Sequence, residues 1–330
     1  MKTRLLSKTA FLLFSLFFLF GFFSCATQGA VQAEEYYTIG MAFFELGKFT
    51  EAEMWLNRAR AADKTMVASE YNLGRIAFET GRYVEAVRLF ENVLSKDPDN
   101  VMVLKAAAYS RIKNGDIEKA ETLYEKVLAF IPESADDGFN YALVLYSLKK
   151  YDDCEIVLNR YPYTLEEKPP YVLLLGRAQK AMNKVEALDT YAKWITLNMD
   201  NAANPQGLFE YAQVLEGAGH YARALEQYDA VITALTKDTA ELKKSKLRFE
   251  KARLLLTVDP ENDEGMTIFT TSISEGFSDT EAIENLLLDE RLNQNNKTAI
   301  QKVLTDLLIK AQESKPETDD DEDEEDDEEV

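Results

Sequence analysis

The chain holds a single histidine, His220, and two cysteines, Cys25 and Cys154. Catalysis normally draws on an activated nucleophile or an acid–base pair, and neither side-chain type has a chemical companion close by in sequence. His220 lies between Gly219 and Tyr221 and reads as a solvated turn residue, while Cys154 reads as a small buried hydrophobe. The sequence contains no Gly-rich phosphate loop and no G-x-S-x-G nucleophile motif. A metal site needs clustered His, Cys and carboxylate ligands. The acid-rich stretch Asp259, Asn262, Asp263, Glu264 and Gly265 lacks the order and spacing of a calcium loop and reads as a polar turn. These absences argue against an enzyme, a metal and a cofactor. Basic charge is also short: 37 Lys and Arg stand against 58 Asp and Glu, for a formal net charge of −21. Nucleic-acid binding is disfavoured accordingly, because neutralising phosphates requires a basic face.

Long apolar runs are equally scarce. The main one, Ala10 to Phe23, follows Lys2, Arg4 and Lys8; it is short for a membrane span and typical of a secretory signal, so residues 1–24 are expected to direct export. Phe22, Phe23, Ser24 and Cys25 resemble a bacterial lipobox of the relaxed kind found in spirochaetes, with Phe22 where Leu is usual and a small residue before the cysteine. The resemblance implies a lipoprotein acylated at Cys25, palmitate included, with residues 25–32 as a polar tether. It would be held on the periplasmic side of the inner or outer membrane, with surface exposure also open. Cleavage after Ala33, at Val31-Gln32-Ala33, and retention as an uncleaved anchor are the competing fates of this segment. Once Cys25 carries lipid, Cys154 has no partner for an intramolecular disulfide.

Of the few prolines, Pro98 and Pro132 are 34 residues apart and close the same pattern. Leu73, Gly74, Gly81, Tyr83, Ala86 and Phe90 precede the first; Ala107, Ala108, Gly115, Ile117, Ala120 and Tyr124 precede the second. The frame extends upstream through Tyr36, Ile39, Gly40, Phe43, Gly47, Phe49, Ala52, Leu56 and Ala59. This period and these residues resemble the tetratricopeptide repeat (TPR), a helix–turn–helix unit. The implied fold is all-α: a right-handed superhelical solenoid of TPR hairpins with C-terminal capping helices. Repeats are expected at 33–66, 67–100, 101–134, 135–168, 169–201 and 205–238. The fourth is degenerate, with Cys154 at a small-residue position and Tyr161, Pro162, Pro169 and Pro170 at its end; the fifth has a turn shortened by one residue at Asn183. Residues 240–312 are expected to form a further degenerate hairpin and the capping helices that cover the last apolar face. Residues 313–330 read as a disordered acidic tail, because Glu317 to Glu329 contain twelve carboxylates and no base.

In TPR domains the binding groove is lined mainly by the second, fifth, ninth and twelfth positions of each repeat. By resemblance, the groove residues here are Tyr37, Met41 and Phe44; Tyr71, Arg75 and Phe78; Lys105 and Tyr109; Phe139 and Tyr146; and Arg177 and Lys180. Aromatics and Arg concentrate binding energy at interfaces, so an aromatic groove with four cations points to a protein or extended-peptide partner. The alternative for Phe44, Phe78 and Tyr146 is that they pack one hairpin on the next. A carboxylate clamp of the chaperone-binding type is not expected, since Tyr37, Met41 and Tyr71 occupy sites that would need Lys or Asn. Residues 317–330 could occupy or screen the groove near Arg75, Lys105, Arg177 and Lys180. The leading functional expectation is a membrane-anchored scaffold or assembly factor of the bacterial envelope. In design it resembles the TPR lipoproteins of outer-membrane β-barrel assembly and of murein-hydrolase scaffolding. An accessory of a TRAP-type solute-uptake system and a surface adhesin are the alternatives.

Overall fold

The computed structural model describes residues 29–198 and 204–313, and these are helical with no strand among them. The expected signal segment, Cys25 and the expected acidic tail from 314 onward lie outside the described residues. The described residues fall into two compact units that divide between Glu166 and Glu167.

The first unit is a series of helix pairs. Helix α1 spans 29–45, and α2 (Phe49–Ala62), α3 (Val67–Glu79), α4 (Tyr83–Leu94), α5 (Val101–Asn114), α6 (Ile117–Phe130), α7 (Ala135–Ser147) and α8 (Tyr151–Leu158) follow, with the short α9 (Pro162–Glu167) at the boundary. Of the residues expected in the tether, 29–32 form the first turn of α1, and Ala33 after them is fully buried. The second unit contains α10 (Pro169–Ala181), α11 (Ala187–Leu197), α12 (Pro205–Gly217), α13 (Tyr221–Ala234), α14 (Lys244–Val258), α15 (Asp263–Ser274), α16 (Thr280–Leu287) and α17 (Gln294–Glu313).

Small residues explain why the pairs close. A Cβ on Gly74 would sit 2.7 Å from the Phe90 ring, and one on Gly40 would sit 2.9 Å from Leu56. Across each hairpin, Ala52, Ala86, Ala120, Cys154, Ala187 and Ala224 recur at one position and are buried; so are Leu56, Phe90, Tyr124, Leu158, Tyr191 and Tyr228 at another. The first set lets the helices approach and the second fills the remaining space.

The turns close by backbone chemistry rather than side-chain caps. Lys48, Arg82, Asp116, Lys150 and His220 each donate a backbone N–H to the carbonyl five residues earlier, at 2.7 to 2.9 Å. This Schellman-type closure needs a left-handed residue just before the donor. Gly47, Gly81, Gly115 and Gly219 supply it, and in repeats four and five Lys149 (φ 60°) and Asn183 (φ 55°) adopt the same conformation. His220 is thus a turn donor at the start of α13.

The terminal core is a separate cluster. Phe249, Phe269, Phe277, Ile283, Leu286, Ile300 and Leu304 join α14 to α17 around a stacked Phe249–Phe277 pair at 4.1 Å.

Candidate functional site

In the first unit, the first helices of successive hairpins carry two adjoining depressions. The smaller, about 370 Å³, is lined by Tyr37, Met41, Tyr71, Asn72, Arg75, Asn100 and Met102 among others. The larger, about 770 Å³, is lined by Tyr71, Val101, Met102, Lys105, Ala106, Tyr109, Tyr124, Asp137 and Asn140. Tyr71 and Met102 belong to both, so the two form one groove.

The groove side chains are held by contacts within and between the first helices of adjacent repeats. The Tyr37 hydroxyl accepts from Asn72 Nδ2 at 3.0 Å, and Asn72 Oδ1 in turn accepts from Arg75 at 3.0 Å. The Arg75 guanidinium lies 4.4 Å above the Phe44 ring. Lys105 donates to Asp137 Oδ2 at 2.9 Å, and Ser134 also donates to that oxygen at 2.5 Å. Asp137 is only 2% exposed. A buried carboxylate needs such partners, since an uncompensated charge in that position is costly. Burial, and then the neighbouring Asp137 charge, raise the Tyr124 phenol above its ordinary range, so it stays neutral in the groove floor.

The other residues expected in the groove do different work. Phe44 packs on Phe49 at 5.7 Å, Tyr146 on Tyr151 at 5.3 Å, and Phe78 lies between Tyr83 at 5.5 Å and Tyr109 at 5.2 Å. These rings close turns and join repeats, as the packing alternative holds. Phe139 is half-buried on α7 and outside both linings. In the second unit Arg177 donates to Glu210 at 2.8 Å and Lys180 to Gln213 at 2.5 Å. Burial pushes the Lys180 ammonium below the usual lysine range, with Glu210 pulling it back.

Asn72, Asn100, Tyr124, Asp137 and Asn140 were not foreseen as lining. Asn72 and Asn140 share the sixth repeat position, and a polar residue recurring on a helix whose neighbours are apolar was the available signal. Cys154 is fully buried and its thiol is pushed up to about 12 by burial and the nearby Glu155, consistent with an inert packing role. Among the described residues no cluster of metal-ligating side chains occurs, and no helix is long and apolar enough to cross a membrane.

Residues 37–101 and 77–136 match family models described as tetratricopeptide repeat. Residues 37–136 thus carry tetratricopeptide repeats, and the described residues form an all-α fold of repeat hairpins. It is similar to an uncharacterized lipoprotein of Treponema pallidum (strain Nichols), 26% identical over 175 residues that make up 53% of this chain and 89% of that protein. A crystal structure of a tetratricopeptide repeat protein from Parabacteroides merdae superposes with a TM-score of 0.54 at 21% identity, over 77% of this chain and 97% of that one. At that identity the likeness speaks to the fold.

Proposed function

We propose that this protein is a lipid-anchored scaffold or assembly factor of the bacterial envelope that binds an extended segment of another protein along the groove of its first unit. The observation that carries the reading is the pair of depressions joined at Tyr71 and Met102. Tyrosines bury large area at low entropic cost while keeping a polar tip for backbone groups of a bound chain. Because Lys105 is paired with Asp137, the larger depression offers little net charge and suits apolar anchor side chains better than acidic ones. The envelope address is supported by the basic and apolar leader ahead of Cys25 and by the relative's description as a lipoprotein.

A photo-crosslinking residue at Met102, which is 57% exposed in the groove, tests this in intact envelopes. The expected result is one dominant crosslinked protein, weakened by Tyr71→Ala and Tyr109→Ala. Val84 is 72% exposed on α4 and outside the groove linings, so it serves as the control. Equal capture of the same protein from Val84 would sink the groove assignment.

A further inference from the structure

Among the described residues no repeat covers the outer face of the first hairpin, and its composition is wrong for water. In repeats two and three, the fourth, seventh and eleventh positions are buried: Glu70, Leu73 and Ala77 are 8%, 4% and 1% exposed, and Leu104, Ala107 and Arg111 are 1%, 0% and 9%. Arg111 shows what covers such a face, since it donates to Glu91 on the last helix of the preceding repeat. The same positions of repeat one are Tyr36, Ile39 and Phe43. Tyr36 and Phe43 are only half-buried and Ile39 is 37% exposed. Terminal repeats of solenoids ordinarily present a polar outer face; this one presents two aromatics and an isoleucine along one stripe of α1. Trp55 on α2 extends it, 5.5 Å from Tyr36, with the Arg58 guanidinium 4.5 Å above the indole.

We propose that this face rests on the bilayer surface, so that the first hairpin lies along the membrane and the groove of the first unit stands beside it. The proposal rests on acylation of Cys25, and the spacing from that residue selects the occupant. Cys25 and Gly29, the first residue of α1, are four residues apart. Even fully extended, that is about 14 Å of chain. The start of α1 is therefore confined to the headgroup region and its immediate vicinity, since the polar layers extend only about 5–8 Å beyond the hydrocarbon on each side. Trp and Tyr favour that depth because they pair an apolar ring with a polar tip. Arg58 can bury its stem on the indole and reach a lipid phosphate with its head. Glu35, four residues before Ile39 and so on the same side of α1, would lie at the margin, which favours a zwitterionic over an anionic surface.

The chain has two tryptophans, and Trp194 is 1% exposed in the second unit, so Trp55 is a natural reporter. Mature protein is reconstituted in phosphatidylcholine vesicles with and without brominated acyl chains, and the emission of a Trp55→Phe variant is subtracted. Flotation of the vesicles reports anchoring independently. The expected result is flotation together with quenching of the Trp55 component, and retained flotation with lost quenching in Ile39→Asp. Flotation with unquenched Trp55 overturns the proposal while leaving the anchor intact. Failure to float, with no acyl mass on Cys25, overturns both. Unquenched Trp55 whose emission instead changes with protein concentration in detergent assigns the face to a second copy and overturns the membrane assignment.

Discussion

Single side chains decide how closely these helices can approach, and two glycines in similar helices carry opposite predictions. A Cβ on Gly138 would fall well inside the van der Waals contact distance of the Tyr161 ring. That ring is 7% exposed, and its hydroxyl is pinned to the Pro132 carbonyl at 2.9 Å, so it cannot swing aside without losing the bond. Gly138→Ala is expected to destabilise the first unit by about 1–3 kcal/mol, the usual cost of overpacking. Gly217, at the end of α12, has nothing within 4 Å of such a Cβ. Gly217→Ala should therefore stabilise by up to about 1 kcal/mol through helix propensity alone. Urea unfolding of the two variants measures both signs, and a neutral Gly138→Ala would contradict the packing described at Tyr161.

Adjacent repeats meet along a seam between their first helices, and its register is constant. The twelfth position of one repeat meets the ninth of the next as Phe44 with Arg75, Phe78 with Tyr109, and Lys180 with Gln213. Arg253 of α14 continues it by donating to Glu216 at 2.7 Å, and the Tyr228 hydroxyl donates to the same carboxylate at 3.1 Å. Burial pulls the Arg253 guanidinium down, but Glu216 and Glu250 outweigh it and hold the group above its ordinary value. Glu216→Ala would leave the Tyr228 hydroxyl without its acceptor and Arg253 with the Glu250 carboxylate. At the partial exposure of this pair, the expected loss is about 2 kcal/mol, read as a lowered unfolding midpoint and compared with Glu264→Ala on an exposed carboxylate. The seam also explains what the sequence could reveal. Small and aromatic residues at hairpin-closing positions have one physical job, so the helices and the fold class were legible from their spacing. The ninth and twelfth positions serve both the seam and the groove, so an aromatic there has two readings until its neighbour is known. Phe44 and Phe78, at the twelfth position, pack on neighbouring rings, whereas Tyr109, at the ninth, both meets Phe78 and lines the groove. Asp137 was illegible because its partner Lys105 lies 32 residues away, beyond any local pattern.

Charge is the property that only the whole chain displays. The formal net charge is −21, and twelve carboxylates fall between Glu317 and Glu329, outside the described residues. Read from sequence, this polyanion could compete for the cations of the groove face. The described residues give those cations other partners: Arg75 donates to Asn72, Lys105 is held by Asp137 and Arg177 by Glu210, while Lys180 donates to Gln213. An incoming carboxylate would have to displace a neighbour already in place, and at an exposed site one such exchange gains at most about 1 kcal/mol, less as salt rises. Autoinhibition by the tail is therefore expected to be weak. Deleting residues 316–330 should change the affinity of the groove partner by less than about fivefold at low salt, since about 1 kcal/mol corresponds to that factor. At high salt the difference should vanish. Titrating the crosslinked partner, once isolated, against full-length and truncated protein at both salt concentrations measures this. A large, salt-sensitive gain on truncation would show that the tail does displace Glu210 or Asp137, and would turn the acidic tail from a solubilising segment into a regulator of the groove.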